Sequence, residues 1–188
     1  MNSLRGHLLI ASPVLPDPNF CRSVVLIIDH DVEGAFGLIL NRTTKRCLGD
    51  IWAADEPDPL DEMPIAVGGP VPGPILVLHG NDPLVDPGER SDQIIHNVCL
   101  TKVDDDYHEF LRGLSDPYRV FIGYAGWGSG QLESEIDSGS WLNHIATFDD
   151  IFHLDEGNIW EVLVARAQTI RTQRVLRVKT IGDDPSLN

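Results

Sequence analysis

Asp17, Asn19, Phe20 and Arg22 crowd a proline-bounded stretch near the N-terminus, and Asn41 and Arg42 follow further on. A carboxylate, two amides and two guanidinium groups beside an aromatic ring can hold a small polar ligand. The ring covers an apolar face, and Arg42 is suited to grip an acidic group through paired N–H donors. The same residues also serve a purely structural purpose. Asp17 or Asn19 can close an Asx-turn, and Asp17 can pair with Arg42; turn caps and ion pairs are the commoner use of such groups, and the sequence favours them here. A third arrangement adds His30 to Asp17, Asn19 and Arg42 as a hydrolase- or transferase-like site, completed by a glycine-rich loop.

That loop is the second constellation. Residues 119–141, RVFIGYAGWGSGQLESEIDSGSW, read as a strand, a glycine turn (Gly126, Gly128, Gly130) and a helix over about 131–137. Trp127 and Gln131 border the turn and join the candidate ligand-binding set. A strand, a glycine turn and a helix start can present free backbone N–H groups to an anion. Neither phosphate-binding pattern is complete, however: a G-x-G-x-x-G from Gly126 needs glycine at Gln131, and a P-loop needs Lys-Ser or Lys-Thr at Gln131-Leu132. Glu133 and Glu135 would also repel a phosphate there. A tight turn packed against Trp127, with Glu133 complementing the helix dipole, is the favoured reading.

Other chemistry lacks its parts. Gly128-Ser129-Gly130 is not a G-x-S-x-G elbow, and no histidine neighbours Cys21, the cysteine whose thiol Arg22 would activate. The seven histidines form no H-x-x-x-H pair, and the three cysteines form no C-x-x-C, so no metal site and no cofactor are expected. Arg166, Arg171, Arg174, Arg177 and Lys179 make one basic patch, without a helix-turn-helix pattern or stacking aromatics.

The elements that must position these residues follow from pattern. Strands are expected at 7–12, 24–30, 35–41, 65–69, 74–80, 94–100, 119–125 and 174–181. The run VVLIIDH has the continuous apolar character of a strand buried on both faces, and it pairs with 35–41 as a hairpin. Gly37 marks a bulge or a close backbone approach, and Gly68-Gly69-Pro70 a tight connection between two strands. Helices are expected at 48–53, from Asp106 to Gly113, at 131–137 with Gly139 as stop, and at 159–170, which carries an apolar stripe. Strands and long helices do not alternate regularly, so a doubly wound sheet is not expected. The fold class is α+β: one domain over 1–180 with a mixed or bent sheet and helices around it, followed by a loose tail at 181–188.

The chain of 188 residues is long enough to bury a core without disulfides or metals. Three widely spaced cysteines fit free thiols in a reducing compartment, and no apolar stretch approaches the ~20 residues that cross a bilayer, so a cytoplasmic protein with no membrane partner is expected. The net charge of −15 repels polyanions and argues against direct nucleic-acid binding.

Three collinear blocks carry a resemblance: GHLLIASPVLPDPNF with RSVVLIIDH and GAFGLILNR, then VGGPV, then GYAGWGSGQLE and GSWL. Together, from about Gly6 to Leu142, they resemble the YqgE/AlgH family of bacterial proteins. The resemblance implies a bifurcated β-sheet surrounded by helices. Some members carry a transcriptional-regulator label through an association with exopolysaccharide gene control. With the charge in view, such a role is expected to be indirect. The reading that combines these points is a non-catalytic regulatory or binding module for a small polar ligand or protein partner. Duplex DNA titrated at low ionic strength, where phosphate contacts are strongest, is therefore expected to show no binding. Salt-sensitive affinity in that titration would restore regulation by direct contact.

Overall fold

The computed structural model describes residues 3–51, 58–81, 91–103 and 107–169. Its first elements are β1 (His7–Ala11), β2 (Val24–Asp31), β3 (Gly34–Ile39), β4 (Thr43–Cys47), β5 (Pro64–Val67), β6 (Val71–Gly80), β7 (Ser91–Ile95) and β8 (Val98–Val103). Then come α1 (Tyr107–Gly113), β9 (Tyr118–Gly128), α2 (Gln131–Asp137), β10 (Trp141–Ile145), α3 (Phe148–Phe152) and a last helix, α4, over 159–169. The fold is α+β. No helix among the described residues is long and apolar enough to cross a membrane.

The apolar run of β2 explains why the sheet is covered on both faces. Successive side chains of a strand point to opposite sides, and here Val24, Leu26 and Ile28 enter one core while Val25 and Ile27 enter another. The first core also takes Ile151 of α3 and Ile159 and Leu163 of α4. The second takes Leu132 of α2 with Trp127 and Trp141. A third cluster, around Ile65, Val77 and Val120, receives Leu111 of α1.

The strands run β10-β1-β2-β3-β9-β6-β8-β7, with β4 and β5 on a branch. Every pair is antiparallel except β5 with β9. The branch arises because β9 is shared along one edge: Val120–Ile122 pair with Ile65–Val67 of β5, while Ala125–Gly128 pair with Gly34–Gly37 of β3. Along its other edge β9 pairs with β6. The sheet therefore forks at Gly123, whose φ of +66° lies in the left-handed region open to glycine.

Gly68 and Gly69 fill the fork. Gly68 donates its N–H to the Ile122 carbonyl (2.9 Å) and accepts the Ile39 N–H (2.8 Å), so one residue stitches both prongs. A Cβ on Gly68 would stand 2.3 Å from the Gly123 carbonyl oxygen, and one on Gly69 would stand 2.2 Å from the Ala125 nitrogen.

Several expectations change. β5 and β6 are joined by the tight Gly68–Pro70 connection but do not pair with each other; they flank opposite edges of β9. The single strand expected over 94–100 is two, β7 and β8, turned at His96-Asn97 with Asn97 at φ +62°. β9 continues through Gly126 and Gly128, so only Ser129-Gly130 remains as the turn. β4, β10 and α3 were not foreseen. Of the two readings of Gly37, the close backbone approach holds, since Gly37 leaves room for the Leu26 carbonyl, while the register shift lies on the partner strand between Ile27 and Asp29. The helix expected from Leu48 is a 3-10 turn at Leu48–Asp50. Residues 52 and 53 of that expected helix, the Asp106 start of the next, the 174–181 strand and the tail at 181–188 lie outside the described residues.

Gly69→Ala is expected to cost about 3 kcal/mol, since backbone atoms of a paired strand must move to admit one methyl group. Urea denaturation should show a lower midpoint at unchanged slope. A midpoint within error of the parent would contradict the close packing of the fork.

Candidate functional site

The loop over 12–23, between β1 and β2, is shaped by its own backbone. Asp17 closes the expected Asx-turn, accepting the Asn19 N–H at 2.7 Å, while the Asp17 carbonyl takes the N–H groups of Phe20 and Cys21. Two residues past β3 lock this loop down. Asn41 accepts the Val24 N–H (2.9 Å) and donates to the Arg22 carbonyl (2.8 Å), and Arg42 donates to the Cys21 carbonyl (2.8 Å). Arg42 thus serves a carbonyl, where a pair with Asp17 was expected.

Phe20 turns inward. It stacks on Trp127 with ring centroids 5.9 Å apart and meets the edge of Trp141 at 5.6 Å. Both indole N–H groups donate to one oxygen of Glu135, at 3.0 and 2.8 Å, and Gln131 donates to the other at 2.8 Å. Gln131 also accepts the Gly128 N–H (3.1 Å). Trp127 and Gln131 are spent in this cluster, which anchors α2 to β9 and β10. Arg22 leaves the group in another direction, lying 4.5 Å from the centre of the Trp160 ring and pairing with Glu161 of α4.

His30 stands at the far end of β2, about 20 Å along the strand from Val24 by the usual rise per residue. It is buried and fully engaged: Nδ1 accepts the Leu4 N–H at 2.9 Å, which leaves the ring proton on Nε2, donated to Glu133 at 2.8 Å. The four-residue catalytic grouping of Asp17, Asn19, His30 and Arg42 is therefore not assembled. Nor does Cys21 face an imidazole; its sulfur contacts the Pro18 carbonyl at 4.0 Å.

Asn19 and Arg42 do meet. Together with Thr43, Ile39, Val67 and Gly69 they line a pocket of about 270 Å³, flanked by Pro18 and Pro70. A larger pocket, about 430 Å³, shares Val67, Gly69 and Pro70 and adds Arg46, Asp50 and Gly123. The fork is thus walled by pockets that both use the Val67–Pro70 segment. Hydrogen bonds from the Cys47 N–H and thiol, and the nearby Arg46, hold the Asp50 carboxyl below its ordinary value. A third pocket, about 330 Å³, begins at Thr43 and reaches Arg119 and Glu156. Arg119 is mostly buried, which lowers its pKa from the ordinary arginine value, and Glu156 counters the shift as its ion-pair partner. Sequence reasoning passed over Arg119, although a lone arginine opening the apolar run VFIGYA was its visible signal. It also passed over Thr43–Arg46, whose polar residues give no strand pattern.

The model of the AlgH-like family matches residues 8–171. The chain belongs to the AlgH-like family. A UPF0301 protein of Streptomyces coelicolor is 37% identical over 203 residues, covering 100% of this chain and 97% of that protein. One of Thermobifida fusca is 37% identical and covers 99% and 96%. The solution structure of the AlgH protein from Pseudomonas aeruginosa superimposes with a TM-score of 0.74 at 28% identity, over 88% of this chain and 89% of that one. A crystal structure from Corynebacterium diphtheriae, 24% identical, shares the fold with a TM-score of 0.71 over 88% and 87%. In this AlgH-like chain the three blocks named above come together: the first supplies the loop and Arg42, VGGPV fills the fork, and GYAGWGSGQLE supplies β9 and the Glu135 cluster.

Backbone N–H donation at Glu133 itself, followed by the His30 ring N–H, lowers the Glu133 carboxyl below its ordinary value. A depressed carboxylate stabilises the fold above its unfolded-state pKa, and that contribution disappears as pH falls through the folded-state value. Glu133→Gln is therefore expected to flatten the acid limb of a stability–pH profile measured by urea denaturation. An unchanged limb would refute this role.

Proposed function

We propose that this AlgH-like chain is a non-catalytic binding module, acting in regulation, that recognises a small polar ligand or a protein partner at the Asn19–Arg42 pocket. The observation that carries this reading is the meeting of Asn19 and Arg42 over an apolar wall of Ile39 and Val67 beside the fork. Few convergent polar groups in a largely apolar concavity are what ligand recognition requires. The enzyme reading has less support, because its only imidazole, His30, is committed to Leu4 and Glu133. A regulatory role fits an indirect route better than DNA contact, given the net charge of −15.

A thermal-shift screen of metabolites and nucleotides tests the site. A true ligand at a hundredfold excess over its Kd adds about 2.7 kcal/mol of stability, several degrees in Tm for a chain of this size. Asn19→Ala and Arg42→Ala, each referred to its own unliganded Tm, are expected to abolish that rise. A ligand whose shift survives both substitutions binds elsewhere and overturns the assignment.

A further inference from the structure

Carboxylates outnumber cations 29 to 14 in this chain, so a cation without an acidic partner needs a reason. Arg5, Arg22, Arg112, Arg119 and Arg166 each pair with a carboxylate. Among the described residues Arg42, Lys45 and Arg46 form no ion pair, and all three belong to one segment. The Arg42 guanidinium donates from Nη2 to the Cys21 carbonyl and makes no other hydrogen bond among the described residues, leaving most of its five N–H donors available. The lining of its pocket includes no Asp or Glu. The nearest acid of the loop, Asp17, has turned its carboxylate to the Asn19 N–H.

β4 is built to display this charge. Among the described residues it pairs with β5 alone, and none of them pairs with its other edge. Between Thr43 and Cys47 the register shifts, and Thr44 Oγ1 both donates to the Ile65 carbonyl (3.0 Å) and accepts the Arg46 N–H (2.9 Å). Asp50 takes the Cys47 N–H at 2.9 Å. With these N–H groups satisfied locally, the edge is blunted against strand addition, and Lys45 and Arg46 project into solvent. Arg46 has Asp50 beside it in the larger pocket, whereas Arg42 is the cation that lines the smaller one.

We infer that the ligand of this site is an oxyanion: Arg42 holds a carboxylate or phosphate group in the smaller pocket, with Asn19 as the second polar contact and Lys45 and Arg46 supplying the attracting field. This rests on the binding reading above and gives its ligand a chemical class. The local positive field acts at short range, while the acidic remainder of the chain disfavours long polyanions. A small ligand with one or two charged groups therefore fits better than a nucleic acid.

The test is an NMR titration of the full isotope-labelled chain with inorganic phosphate in one arm and succinate in another, sodium chloride serving as the ionic-strength control. The expected result is saturable movement of the Asn19, Val67 and Gly69 amides and the Arg42 Nε–H in at least one arm; which arm responds identifies the anion. Arg42→Gln should weaken binding by roughly ten- to a hundredfold, the worth of a charge-assisted hydrogen bond. Lys45→Gln with Arg46→Gln should reduce its salt dependence. Arg112→Gln, which removes a cation from an ion pair outside both pocket linings, should change neither. Shifts that are unsaturable, lie elsewhere or persist in Arg42→Gln overturn the inference. So does an uncharged ligand from the thermal screen that requires both Asn19 and Arg42, although that result leaves the binding reading intact. No site-dependent ligand of either kind ends both.

Discussion

The structure depends on one close approach between backbones. At the fork, the peptide groups of Gly68 and Gly69 lie against Gly123, Tyr124 and Ala125 at distances that exclude a side chain. Because the contact is made by main chain, β9 can serve β5 over one half of an edge and β3 over the other without leaving a gap. Gly68 completes the join by bonding both sides. The pockets lie against this join: their shared wall is the Val67–Pro70 segment that passes through it.

Around that join, most of the polar residues that attract attention in the sequence hold the scaffold in shape. Asn41 fastens the β1–β2 loop to β2, Glu135 ties two indoles to α2, and His30 links the N-terminal segment to the start of α2. Buried polar groups must be paired, and these pair with one another or with backbone. Asn19 and Arg42 differ because their side chains also face open space. A residue is a candidate for recognition here when its hydrogen-bonding capacity exceeds what the fold consumes.

Local pattern reveals some of this and conceals the rest. The β2–β3 hairpin and α2 were legible, since an apolar β-branched run and a stop at Gly139 reflect forces acting within a few residues. β4 was not, because a largely exposed strand with an irregular register needs no apolar alternation, and TTKR shows none. The glycines of GWG suggested a turn, whereas Gly128 lies extended opposite Gly34 in the sheet. The division of 94–100 depends on Asn97 adopting a left-handed conformation, which its neighbours do not announce. At the candidate site, the pairing of β2 with β3 brings Arg42 beside the loop that carries Asn19. Their shared wall was not legible, since it depends on a glycine segment brought in by long-range pairing.

The position of β9 in the chain bears on how the protein is made. Synthesis proceeds from the N-terminus, and the strand that joins β3, β5 and β6 begins only at Tyr118. Until it leaves the ribosome, the early hairpin and the later strands lack the ribbon that unites them, and their apolar edges are open to mispairing. Completion of the sheet also waits for β10, the last of its strands in chain order among the described residues, to return to β1. Such distant pairings close large loops before their contacts stabilise the product, which makes folding slow and late on the nascent chain.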